Sequence, residues 1–165
     1  MADAPVNPFM VLTTALAYVI AADGVIRSEE KAKLLTLMGK HVTTGAITKE
    51  ELRNLTVDAF QRVSATNVGL FLEHYGPKLT YAQKLAILAN MYEVMLVDGE
   101  AVDLEAWILK HFLDNFSITK VQLRVLKEVV TLASDTNIFL DPWHPCNRPD
   151  YRFNAAPRKK RVSMV

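Results

Sequence analysis

Two short acidic turns, 75 residues apart, hold the carboxylates that could do chemistry in this chain. The first reads Ala22-Asp23-Gly24-Val25-Ile26-Arg27-Ser28-Glu29-Glu30. The second reads Val97-Asp98-Gly99-Glu100-Ala101-Val102-Asp103-Leu104-Glu105. Asp-Gly falls on Asp-Gly, Ser28 on Asp103, and Glu30 on Glu105, with no gap. Asp23 with Glu30, and Asp98 with Glu105, thus place paired carboxylates across a tight turn and the first turn of the next helix. Hard divalent cations take oxygen ligands, and Ca²⁺ takes about six to eight. One reading is therefore a divalent-cation site built from one or both turns. Two carboxylates per turn are few for that task, neither turn carries the Asp/Asn ladder of an EF-hand loop, and Val25 stands where the second copy has Glu100. The other reading is structural. An Asp before Gly accepts backbone N–H bonds in the turn, and a first-turn Glu complements the helix dipole.

The remaining reactive side chains do not assemble in sequence. His41, His74, His111 and His144 are not at ligand spacing, and His144-Pro-Cys146 supplies two soft ligands where a structural zinc site needs about four. Met38, Met91 and Met95 read as core filler. No phosphate loop, nucleophile elbow or zinc signature is present. The expectation is a protein without catalytic residues.

A second candidate region lies at the C-terminus. Trp143, Tyr151 and Phe153 are spaced among prolines in a segment opening Asp141-Pro-Trp-His-Pro-Cys-Asn-Arg-Pro-Asp150. Aromatic anchors of this sort dock into a partner's pockets, or they fold back over an apolar patch of their own chain. The run Arg158, Lys159, Lys160, Arg161 can attract an anionic membrane surface, a nucleic acid or an acidic protein. Near an anionic membrane each such charge contributes about 1 kcal/mol, which assists docking without anchoring the chain. Specific nucleic-acid binding is not expected, because the rest of the composition offers no basic face.

The elements that must position these residues read as helices. Half of the 165 residues are hydrophobic, so one domain with a sizeable core can form. Asn7-Pro8 opens a charge-free helix to about Ala22, expected to be buried nearly all round. It falls short of the roughly 20 residues a membrane span needs. Asp23-Gly24 breaks it, and Ser28 caps the next helix. Gly39 to Ile47 reads as a loop. Thr48-Lys-Glu-Glu51, Thr80-Tyr-Ala-Gln83 and Thr119-Lys-Val-Gln122 are capping-box signatures that open further helices. A short helix spans about Val68–Tyr75, and the helix after Asp103 runs to about Phe116. No stretch alternates as a half-buried strand does. The expected fold is all-α, with about seven helices in two pseudo-repeated halves around one core. Residues 1–134 form the helical domain, and residues 135–165 an extended, Pro-rich, basic arm.

Charge divides the same way. Residues 1–141 hold 13 basic and 17 acidic side chains, whereas residues 142–165 hold six basic and one acidic. The single Cys146 excludes an intramolecular disulfide and fits a reducing compartment. Met-Ala-Asp-Ala-Pro has no basic n-region of a secretory signal.

A helix, Ala-Asp-Gly, an apolar residue, a cap and Glu-Glu, repeated once in an all-helical domain, resembles the TerB-like family associated with tellurite resistance. The likeness covers roughly Phe9 to Ser134 and rests on Ala22, Asp23, Gly24, Glu29 and Glu30, with Asp98, Gly99 and Glu105 in the second copy. Val97, Ala101 and Leu104 depart from the first copy. The resemblance implies a non-enzymatic interaction or scaffold module, a subunit or accessory factor of a larger, membrane-associated assembly. Its place would be the cytoplasm or the cytoplasmic membrane face, with protein partners and possible divalent-metal binding at the acidic motifs. The alternative it implies is a metal-binding stress-response protein. The basic arm lies outside the family pattern and points to a docking role particular to this chain.

Overall fold

The computed structural model describes residues 5–97 and 103–152, leaving aside the side chains of Val97, Asp103, Glu105 and Ser134. Among the described residues the chain is helical and has no strand. The helices are α1 (Pro8–Ile20), α2 (Ser28–Thr43), α3 (Lys49–Ala65), α4 (Val68–Tyr75), α5 (Tyr81–Val97), α6 (Asp103–Phe116), α7 (Lys120–Ser134) and α8 (Asn137–Leu140). Turns of 3₁₀ helix lie at Gly76–Lys78 and Pro145–Asn147. The chain divides into two compact units, Met1–Ser117 and Ile118–Val165.

In the first unit the sequence determines the hub. Asn7 accepts the Phe9 N–H at 3.0 Å and caps α1, with Pro8 at the first helical position. With no charge to keep in water, α1 buries every residue from Val11 to Val19. The hydroxyls of Thr13 and Thr14 survive there because they donate to the carbonyls of Phe9 and Met10, at 2.6 and 2.8 Å. Helix α1 packs on α2, α3, α5 and α6, and α5 packs on α6. Leu16, Leu34, Met38, Phe71, Leu88, Met91 and Phe112 fill the interior. The two helix pairs that flank the repeated acidic turns, α1–α2 and α5–α6, therefore share one core. Tyr18 adds a long-range tie by donating to the Thr66 carbonyl at 2.6 Å, and burial pushes its phenol up to about 12.

Two local expectations need correction. Gly39 does not end α2, which continues to Thr43. A glycine weakens a helix interior by about 1 kcal/mol without forbidding it. The stop comes where Gly45 takes a left-handed φ of 78°. The cap of α2 is Arg27 rather than Ser28, which is already helical. Gly24 does provide the expected left-handed turn, with φ 80°.

The second unit has a different character. Thr119 and Gln122 form the expected capping box of α7, at 2.9 and 3.2 Å. None of the described residues from 118 to 152 is buried. Val121, Val125 and Val129, at helical i, i+4 spacing, are exposed along α7. Beyond it, α8 and the 3₁₀ turn are held by hydrogen bonds rather than by a core.

Candidate functional site

The first acidic turn is built around an arginine that composition alone does not single out. Asp23 Oδ1 accepts the Val25 N–H at 3.0 Å, closing an Asx turn over Gly24. Glu30 Oε2 accepts the Arg27 N–H at 2.8 Å, the reach-back half of a capping box. The Arg27 guanidinium then lies 3.3 Å from Asp23 Oδ2 and 3.6 Å from Glu30 Oε1. All four carboxylate oxygens of the pair thus have a partner, and the local positive charge is already supplied. A cation entering this turn would have to displace Arg27. Arg27 is four residues after Asp23 and three before Glu30, but residues 23–27 form a turn rather than a helix, so it is the left-handed turn at Gly24 that brings the three side chains together.

Of the second turn, Asp98 lies outside the described residues. Glu105 lies on α6, and its side chain lies outside them too. Among the described residues no three His, Cys, Asp or Glu side chains come together as a metal-holding group.

Beside the first turn, a pocket of about 470 Å³ is lined by Ile26 and Lys31 on one side and Thr56, Val57, Phe60, Gln61 and Ser64 of α3 on the other. Phe60 gives it an apolar floor, and Thr56 is tied to the Leu52 carbonyl at 2.9 Å. The lining holds no carboxylate or histidine. The remaining histidines serve rings and turns. His111 meets Trp107 edge-on at 4.3 Å, and His74 meets Tyr75 at 4.5 Å.

The C-terminal candidates separate into two kinds. Tyr151 folds back, donating its hydroxyl to the Glu128 carboxylate on α7. That carboxylate acceptor is the main reason the Tyr151 phenol is pushed up to about 12. Trp143 does the opposite and stands 90% exposed. Phe139 and Leu140, which the sequence reading passed over, stand beside it in the chain at 85% and 73% exposure. Their apolar character was legible, but their exposure depends on α8 ending at Leu140. Phe153, Arg158, Lys159, Lys160 and Arg161 lie outside the described residues.

The backbone beneath these three side chains is tied down. Asp135 accepts the Asn137 N–H at 3.0 Å and also meets His144 Nε2 at 3.0 Å. His144 Nδ1 accepts the Cys146 N–H at 3.1 Å, which leaves the Nε2 proton for Asp135. Asn147 donates to the carbonyls of Ile138 and Asp141, at 2.7 and 2.9 Å. Asp141 Oδ1 accepts the Trp143 N–H at 2.9 Å. Three large apolar side chains therefore project from a knotted polar base.

Against known families, the family model described as tellurite resistance protein TerB matches residues 10–128, from α1 into α7. No curated protein and no solved structure matches the chain significantly.

Proposed function

Since this chain belongs to the tellurite resistance TerB family, we propose that it acts as a non-enzymatic interaction module, a subunit or accessory factor of a larger membrane-associated assembly on the cytoplasmic side. The helical unit supplies a rigid body, and the C-terminal unit supplies the docking surface. One observation carries this reading: Phe139, Leu140 and Trp143 are exposed together on a segment whose backbone is fixed by its own hydrogen bonds. Large apolar side chains held out on an ordered base are interaction anchors, and Trp is the residue type most often found at the energetic centre of an interface. Among the described residues no helix is long and apolar enough to cross a membrane.

The test is capture from native lysate, membranes included, comparing the full chain with Trp143→Ala and with a chain ending at Asp141. The expected result is a defined set of captured components, lost from both variants while the melting of Trp143→Ala stays that of the full chain. Retention of the same set by both variants would overturn the docking role. A large fall in melting for Trp143→Ala would place the side chain in a core instead.

A further inference from the structure

We propose that Phe139, Leu140 and Trp143 form a wedge that inserts into the headgroup region of an anionic lipid bilayer. The proposal rests on the reading of this segment as the docking surface, and it commits that surface to one occupant. Three observations point to lipid.

The first is the apolar tip itself. Three large side chains, each more than seven-tenths exposed, lie within five residues, and one is a tryptophan. Trp is enriched where a membrane meets water, because its ring is apolar and its N–H can stay hydrated. The second is the state of the backbone below them. The N–H groups of Phe139, Asp141, Trp143 and His144 are taken up by Thr136 O, Asn137 O, Asp141 Oδ1 and Asp141 O, at 2.9 to 3.1 Å. Pro142 has no N–H to satisfy. A segment entering a poorly hydrated interface is helped by every backbone N–H it satisfies internally, and these four are satisfied. One oxygen of the Asp141 carboxylate, between Leu140 and Trp143 in the chain, is taken up by the Trp143 N–H.

The third observation is charge. Residues 118–165 hold nine basic and four acidic side chains, whereas residues 1–117 hold ten basic and fourteen acidic. The sign favouring an anionic surface is thus confined to the unit that carries the wedge: Arg148 and Arg152, exposed as is Asp150 between them, follow the wedge in sequence, and Arg158 to Arg161, outside the described residues, supply four of the nine basic side chains. Apolar insertion and basic attraction are individually weak; together they give peripheral, salt-sensitive binding.

Full chain is mixed with vesicles of phosphatidylcholine alone and of phosphatidylcholine with phosphatidylglycerol, and binding is read by co-sedimentation. Binding is expected to the anionic vesicles, falling as salt is raised. Trp143→Ala should weaken it roughly tenfold, the effect of withdrawing one large apolar side chain from a buried setting. In a Trp107→Phe background, emission from Trp143 should shift to the blue on vesicle addition and be quenched by bromine carried on lipid tails. That second readout keeps the side chain intact should Trp143→Ala fail to fold. Equal binding to neutral and anionic vesicles would overturn the role of charge. No binding at low salt, or no blue shift, would overturn the wedge. If the chain ignores vesicles but captures proteins through Trp143, the occupant is a protein, and the docking function survives without this inference.

Discussion

Helices α1 and α7 are of similar length and are both rich in aliphatic residues, yet the fold treats them in opposite ways. Helix α1 has no charged residue and is buried from Val11 to Val19. Helix α7 alternates its valines with Lys120, Arg124 and Lys127, and none of its described residues is buried. A helix with no polar face can be satisfied only by a core. A helix with one face of each kind can serve as a wall, and what lies against its apolar stripe is a separate question. The contrast extends to the units around them. One buys its order with packed side chains such as Leu16, Phe71 and Phe112, the other with hydrogen bonds among Asp135, Asp141, His144 and Asn147.

The largest expected effect separates the two regions directly. Leu16→Ala and Phe112→Ala remove side chains that are almost wholly buried, and each should lower stability by about 3–5 kcal/mol in urea unfolding. Val125→Ala, on the exposed stripe of α7, should lower it by less than about 1 kcal/mol. If Val125→Ala proves as damaging as Leu16→Ala, the α7 stripe is covered in solution and the contrast fails.

A smaller effect tests whether the two units unfold together. Thr48 and Thr119 make equivalent capping boxes, one in each unit, with Glu51 and Gln122. Each Thr→Ala change removes the hydroxyl that accepts a helix-end N–H, from Glu51 or Gln122, and should cost about 1 kcal/mol. Thr48→Ala should move the main thermal transition. Thr119→Ala should move the same transition if the chain unfolds as one. If it moves a separate, earlier transition followed by amide hydrogen exchange in α7, the second unit opens alone.

The acidic turn gives a smaller effect still. Arg27 and Asp23 are both roughly half exposed, so their pairing is screened and contributes little. Arg27→Gln should lower stability by less than about 1 kcal/mol. Addition of Ca²⁺, Mg²⁺ or Zn²⁺ to the unaltered chain should leave its melting where it was, since the oxygens of Asp23 and Glu30 are already engaged. A cation-dependent rise in melting, lost in Asp23→Asn, would mean that a metal displaces the guanidinium, as the metal reading requires.

The residues that were legible in the sequence are those whose partners are local. Asn7 before Pro8, Thr48 with Glu51, Thr80 with Gln83 and Thr119 with Gln122 all cap as their spacing requires, because the bonding groups are only two or three residues apart. The burial of α1 followed from its lack of charge. Arg27 was missed because a Ser followed by two glutamates imitates a helix start, whereas Glu30 takes up the amide three residues before it whatever that residue is. Gly39 was misread because a glycine permits a break without requiring one. In the C-terminal unit the aromatic residues were visible but their sorting was not. Tyr151 reaches Glu128 across 23 residues, and no spacing rule relates the two. Asn147 likewise ties the Ile138 carbonyl, next to Phe139, from nine residues away.

The smallest effect is a pH dependence confined to the first unit. His41 sits on α2 with its ring 5.0 Å from Phe9, edge to face, and its Nε2 is buried without a hydrogen-bond partner. Burial, and then the Lys40 ammonium, hold its pKa below the ordinary value of 6.5. In the unfolded chain the same imidazole titrates near about 6.5, so below that pH the unfolded state binds the proton that the folded state resists. The contribution of His41 is therefore fully present above the unfolded value and is lost as pH falls through the lower, folded value. Melting followed from about pH 7.5 down to about pH 5 should show a shallow decline, flattened by His41→Gln. The decline should appear in the transition that Leu16→Ala lowers, because His41 rests against α1. A decline of equal slope in the His41→Gln chain would assign the acid sensitivity to other groups and leave α1 and α2 without a titrating contact.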